Sequence, residues 1–174
     1  MNGADVMSEF ASEWHSNFSR AKSSLSKALS EETVLRDLIE RGYDPHQGKD
    51  RDSIHDCTIE IAPDWWLKVQ IKSCYGNNTY VNLTTRGTTK TAPVSPGKNS
   101  KPRTSTGYYN SGIHLMAVVT DTKVLYYDIS SFGSLQEKFN WKKVHPIVLE
   151  TYINRLIGDV AELADATDLK SVEG

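Results

Sequence analysis

The chain has 174 residues and a formal net charge of −2, with 38% hydrophobic and 24% charged residues. That length suits one domain with a sizeable core and is short for two. Its two cysteines exclude a disulfide framework and any zinc-site spacing, and no apolar run reaches the length of a membrane-spanning helix. The start carries neither a basic stretch nor an apolar one after it, so no signal peptide is expected. For so cysteine-poor a chain the default setting is the reduced cytoplasm.

In chain order, residues 1–22 read as a helical extension, with Phe10, Trp14 and Phe18 at i, i+4 and i+8. Such an aromatic stripe is more often packing than recognition. Leu25, Leu29, Val34, Leu35, Leu38 and Ile39 then recur at helical spacing, and Gly42 is a stop signal. That helix puts Glu31 a turn or two above a sheet.

The segment Asp56 to Ile61, then Ala62-Pro63-Asp64, then Trp65 to Lys72 reads as a β-hairpin: both arms are β-branched and aromatic, and Pro-Asp signals the turn. With Ala62, Pro63 and Asp64 as the loop, Ile61 faces Trp65 and Asp56 falls opposite Gln70. Lys72 follows one step along the same face, because strand side chains alternate with period two. A two-residue turn shifts the register by one and breaks this convergence. Leu67, Val69 and Ile71 form the buried face, opposite Lys68, Gln70 and Lys72. An acid, an amide and a lysine at one hairpin end suit metal-assisted phosphodiester hydrolysis. A carboxylate, an amide oxygen and a backbone carbonyl are hard donors for Mg²⁺, which lowers the pKa of an attacking water, while a lysine offsets developing charge. The bland reading is an exposed strand face that happens to carry Lys68, Gln70 and Lys72.

Between Asp64 and Asp121 there is no acidic residue, yet Lys68, Lys72, Arg86, Lys90, Lys98, Lys101 and Arg103 fall there. That +7 window leaves the remainder of a −2 chain at −9. Distribution, rather than net charge, therefore points to nucleic acid. Residues 86–110 are rich in Thr, Ser, Gly, Pro and Asn and end near Tyr108 and Tyr109, the composition of a phosphate-gripping loop. Tyr80 to Leu83 reads as a third strand, and Ile113 to Val119 as a strand covered on both faces. Val148, Leu149, Tyr152, Ile153, Leu156, Val160 and Leu163 suggest a C-terminal helix that serves as core or dimer contact. Cys57 and Cys74 could approach each other if the hairpin forms, and His55 reads as a structural histidine.

The run Ser30 to Tyr43, then Asp56, then Val69-Gln70-Ile71-Lys72 resembles the PD-(D/E)XK nuclease superfamily. Within it, the pattern is similar to the group I intron-associated homing endonucleases, in which glutamine replaces the second acid. Ile113 to Val119 and Lys123 to Asp128 resemble that family's last two strands, so the similarity runs from about Ser23 to Ile129. Pro63-Asp64 spells part of the motif's name but reads as the turn. The resemblance implies an α/β (α+β) restriction-endonuclease-like core: a mixed β-sheet flanked by helices, forming one nuclease domain over residues 1–156. It assigns catalysis to Glu31 (Glu32 being the alternative), Asp56, Gln70 and Lys72. Mg²⁺, or Mn²⁺ in its place, would sit on Asp56, Gln70, the Ile71 carbonyl and Glu31. Lys68, Arg86, Lys90, Lys98, Lys101 and Arg103 would contact double-stranded DNA. Cutting both strands calls for a homodimer or homotetramer, with no membrane involved. The expected activity is site-specific DNA cleavage of the homing type. A restriction-type or junction-resolving nuclease, or a non-catalytic DNA-binding module, stands beside it. Residues 157–174 resemble the peptide obtained when a leucine transfer-RNA gene is read through, a common insertion site for mobile elements.

Overall fold

The structure is a computed structural model that describes residues 3–48, 55–86, 105–108, 111–133 and 136–171. Helix α1 runs unbroken over Gly3–Glu40. The expected extension and the helix bearing Glu31 are thus one element, since neither Pro nor Gly interrupts residues 4–41. Its end is a Schellman-type stop: Gly42 has φ of 88°, and the Tyr43 N–H reaches back to the Leu38 carbonyl at 3.0 Å. Val34 and Leu38 are fully buried, and Leu35 packs beside them. Leu25, Leu29 and Ile39, expected in the same apolar face, are exposed instead. The buried stripe comprises Ser30, Val34 and Leu38, because that side of α1 is the one turned toward the sheet.

Among the described residues nine strands follow: β1 (Pro45–Gln47), β2 (Cys57–Ala62), β3 (Trp65–Ser73), β4 (Tyr80–Asn82), β5 (Thr84–Arg86), β6 (Ser105–Gly107), β7 (Leu115–Val119), β8 (Val124–Asp128) and β9 (Lys138–Asn140). Helix α2 spans Leu149–Ser171. The main sheet has the order β1-β2-β3-β7-β8, with β3 and β7 parallel and the other neighbours antiparallel. It is a mixed sheet flanked by helices, an α+β fold. Every residue of β7 is buried, as its apolar run demands. Tyr80 to Leu83 does not extend this sheet as a third strand. Residues 80–82 pair with β9 in a separate ribbon, and β5 pairs with β6 in another.

One face of the sheet (Cys57, Ile59, Leu67, Val69, Ile71) packs on Val34 and Leu38 of α1 and on Leu149 and Ile153 of α2. The other face (Cys74, Met116, Val118, Tyr127) packs on Tyr108, Phe132 and Phe139 from the ribbons and their connections. Cys57 and Cys74 are free and lie in these two opposed layers, so the expected approach does not occur. Parity explains it, because residue 57 faces one layer and residue 74, at the end of the even-numbered series of β3, faces the other. In α2, Leu149 and Ile153 are buried and Tyr152 and Leu156 pack on the core, whereas Val148 and Val160 are exposed. Among the described residues no helix is long and apolar enough to cross a membrane.

Candidate active site

The β2–β3 turn contains only Pro63 and Asp64, since Ala62 pairs with Trp65. Asp64 takes a positive φ of 61° there, a conformation that Asp tolerates better than most residues. This two-residue turn alone would place Asp56 opposite Ile71. A bulge between Glu60 and Ala62 absorbs the extra residue, so Glu60 pairs with Trp66 and Cys57 with Val69. The three-residue loop expected from sequence is therefore corrected, while its consequence survives. Asp56 lies next along the ladder, opposite Gln70.

Asp56 is fixed by its neighbours on β3. The Ile71 N–H donates to Asp56 Oδ2 at 2.8 Å, and Gln70 Nε2 donates to the same oxygen. The Asp56 N–H donates to the Val69 carbonyl at 3.0 Å, and its carbonyl accepts from the Gly48 N–H at 3.0 Å. Gln70 is itself buried, so its amide is committed to this carboxylate. The second carboxylate oxygen meets α1: Lys27 Nζ lies 3.4 Å from Asp56 Oδ1 and 3.3 Å from Glu31 Oε1. Gln47 Nε2 of β1 donates to Glu31 Oε2 at 3.3 Å. Glu31 thus joins the cluster, whereas Glu32 points away and pairs with Arg36 at 2.7 Å. Burial draws the Lys27 ammonium down, but the Asp56 and Glu31 carboxylates more than offset this and hold its pKa above the ordinary lysine value.

Lys72 occupies the next position of the same β3 face, with Nζ 5.2 Å from the centre of the Tyr108 ring. Both Gln70 and Lys72 open onto a groove of about 640 Å³ between α1 and β3, and Ser26, Lys27, Ser30 and Glu31 line the opposite wall. Lys68 is exposed on β3, and its backbone is held by the residue that precedes β7: its N–H donates to His114 Nδ1 at 2.9 Å. His55, half-buried beside Asp56, has its pKa lowered by burial and by Lys68. The Cys57 thiol, on the far face of β2, is pushed up to about 12 by burial and by the charges of Asp56 and Glu31, which makes it a poor nucleophile. Arg86 ends β5, whereas Lys90, Lys98, Lys101 and Arg103 lie outside the described residues. Sequence reasoning did not single out Lys27, Ser30 or Gln47. The i, i+4 spacing of Lys27 and Glu31 was the available signal for the first.

The donor chemistry fits a hard divalent cation. Two carboxylates already share one ammonium, and Mg²⁺ is usually held by one or two carboxylates plus retained waters. Among the described residues no group of three or more His, Cys, Asp or Glu side chains that could hold a metal ion is present.

Asp56, Gln70 and Lys72 thus stand at one end of a hairpin in a mixed, helix-flanked sheet of the α+β class. The fold is similar to the solved structure of a bacterial homing endonuclease, I-Ssp6803I, with a TM-score of 0.55, 12% sequence identity, and coverage of 79% of this chain and 95% of that chain. At that identity the likeness is one of fold. No protein-family model matches the sequence, and no curated protein does.

Proposed function

We propose that the chain is a site-specific, Mg²⁺-dependent double-strand DNA endonuclease of the homing type. The observation that carries this reading is the arrangement of Asp56. Gln70 and the Ile71 N–H lock one of its oxygens, and the other shares a cation with Glu31 at the rim of a groove that also holds Lys72. Asp56, Gln70, the Ile71 carbonyl and Glu31 would hold the ion. An ion held there would supply polarisation of the phosphoryl oxygens and a lowered pKa for the attacking water. The protein's part is positional. Two hydrogen bonds set the Asp56 rotamer before substrate arrives. Lys72, steadied over the Tyr108 ring, orients the attacking water or stabilises charge on the phosphate. Exposed Lys68, with Arg86 and the basic residues 90–103, would grip the DNA backbone, and the arginines could read guanine. Cutting both strands takes two such sites, hence a homodimer or homotetramer.

The test is cleavage with Mg²⁺ or Mn²⁺ of duplexes carrying intronless transfer-RNA genes, a random plasmid and a four-way junction. Wild type is compared with Asp56→Ala. Cutting of one defined duplex, lost in the variant, supports the proposal. Cutting of the junction alone moves the reading to a resolving nuclease. Salt-sensitive binding without cleavage under any metal leaves a DNA-binding module.

A further inference from the structure

In α1, the stretch before Ser26 whose side chains are described faces solvent. Every residue from 13 to 25 is exposed, and an isolated helical stretch of that length is marginal in water. Its composition is unusual for a solvated helix. Between Glu13 and Glu31 there is no acidic residue, while Arg20, Lys22 and Lys27 fall there among six serines. Serine is a poor helix former because its hydroxyl competes for backbone hydrogen bonds, so its recurrence here calls for a role beyond folding.

The side chains are sorted around the helix. Lys22, Ser23, Ser26 and Lys27, flanked by Ser19 and Ser30, share the face that forms one wall of the groove. The apolar residues Trp14, Phe18, Leu25 and Leu29 lie roughly 120° away at 3.6 residues per turn. Across the groove stand Gln70, Lys72 and Ser73 of β3, so Lys22, Lys27 and Lys72 face one channel in which Glu31 is the lone lining carboxylate. From Ser19 to Ser30 the wall is about 16 Å long, the axial length of roughly five nucleotides of one DNA strand. Short hydroxyls let a backbone approach closely, and the lysines supply charge along its path.

We infer that this groove is the channel for the DNA strand being cut, with the lysine and serine face of α1 holding the phosphates that flank the scissile bond. The inference rests on the endonuclease reading and adds to it a binding wall separate from residues 86–110. Lys22 and Ser23 are positioning residues, remote from the Asp56 and Gln70 pair.

The experiment measures affinity of the full chain for a short fluorescent DNA duplex in EDTA over a range of salt, alongside cleavage in Mg²⁺. The proteins are wild type, Lys22→Glu, Ser23→Glu and Lys123→Glu, with helicity checked by circular dichroism. Lys123 lines a different hollow, beside Thr33 and Asp121. With unaltered helicity, Lys22→Glu and Ser23→Glu are expected to bind about tenfold more weakly, and Lys22→Glu to lower the salt slope by roughly one. Lys123→Glu is expected to change little. Unchanged affinity and slope in both groove variants, with wild type binding and cutting, overturns the channel while leaving the endonuclease reading intact. Equal weakening by Lys123→Glu reduces the effect to overall charge and also overturns it. A wild type that neither binds nor cuts any duplex removes both.

Discussion

The Lys27 ammonium stands 3.4 Å from Asp56 Oδ1, joining helix α1 to the end of the β2–β3 hairpin. The same Nζ lies 3.3 Å from Glu31 Oε1, so both carboxylates of the candidate site share one cation. It occupies the electrostatic role that a divalent ion would take over.

On the proposed reading, Lys27 would compete with the metal ion. Lys27→Met is expected to tighten Mn²⁺ binding about tenfold, or ~1.4 kcal/mol, the low end of the Coulomb range near a surface because Lys27 remains largely solvated. Titration calorimetry or Mn²⁺ paramagnetic resonance on the DNA-free protein measures this. Affinity equal to or below that of wild type would mean that the ion binds elsewhere.

Lys72→Ala is expected to abolish cleavage, with a rate loss of at least about a hundredfold, and to leave duplex affinity within a few-fold of wild type. The two readouts separate chemistry from binding. Cleavage at a comparable rate by the variant would remove Lys72 from the mechanism.

The helices are tied to the sheet by a polar network independent of the site. Tyr126 Oη donates to Asp37 Oδ2 at 2.8 Å, Arg41 Nε donates to the same oxygen at 2.8 Å, and Arg41 Nη1 reaches Glu150 of α2 at 2.6 Å. Burial and the Asp37 charge push the Tyr126 hydroxyl well above the ordinary tyrosine range. Tyr126→Phe should cost about 1–2 kcal/mol, read as a lower urea midpoint with an unchanged m-value. A variant as stable as wild type would show that water replaces the bond without loss.

Acid should weaken the fold through His114. Burial and Lys68 lower its pKa, and its Nδ1 must stay unprotonated to accept the Lys68 N–H. The folded pKa lies below the unfolded value near 6.5, so the contribution is fully present above that pH. As pH falls from about 6.5 toward the folded pKa, the unfolded chain binds the proton first, and stability drops by at most ~1.4 kcal/mol per unit per histidine. His55 shifts in the same direction and adds to the slope. Urea midpoints measured from about pH 7 down to pH 5 in wild type and His114→Asn should show a shallower decline in the variant. Parallel curves would place the acid sensitivity elsewhere.

Sequence alone determined the hairpin arms, the buried series Leu67, Val69 and Ile71, and the fully covered strand β7, whereas the pairing of Asp56 with Gln70 was reached through a loop that the structure corrects. Each of the first three follows from alternation and β-branched composition, which are local properties of the chain. The bulge at Glu60/Ala62 was not legible, because two different turns give the same pairing and only the packed sheet selects between them. Nor was the burial of α1. Leu25, Leu29 and Ile39 satisfy a helical period as well as Val34 and Leu38 do, and only the position of the sheet decides which side of the helix is covered. The pairs Lys27–Glu31 and Glu32–Arg36 are i, i+4 neighbours within α1 and so were open to a sequence reading. That Gln47 reaches Glu31, and that Lys27 reaches Asp56, depends on how the helix is rotated over the sheet edge, and long-range packing alone sets that angle.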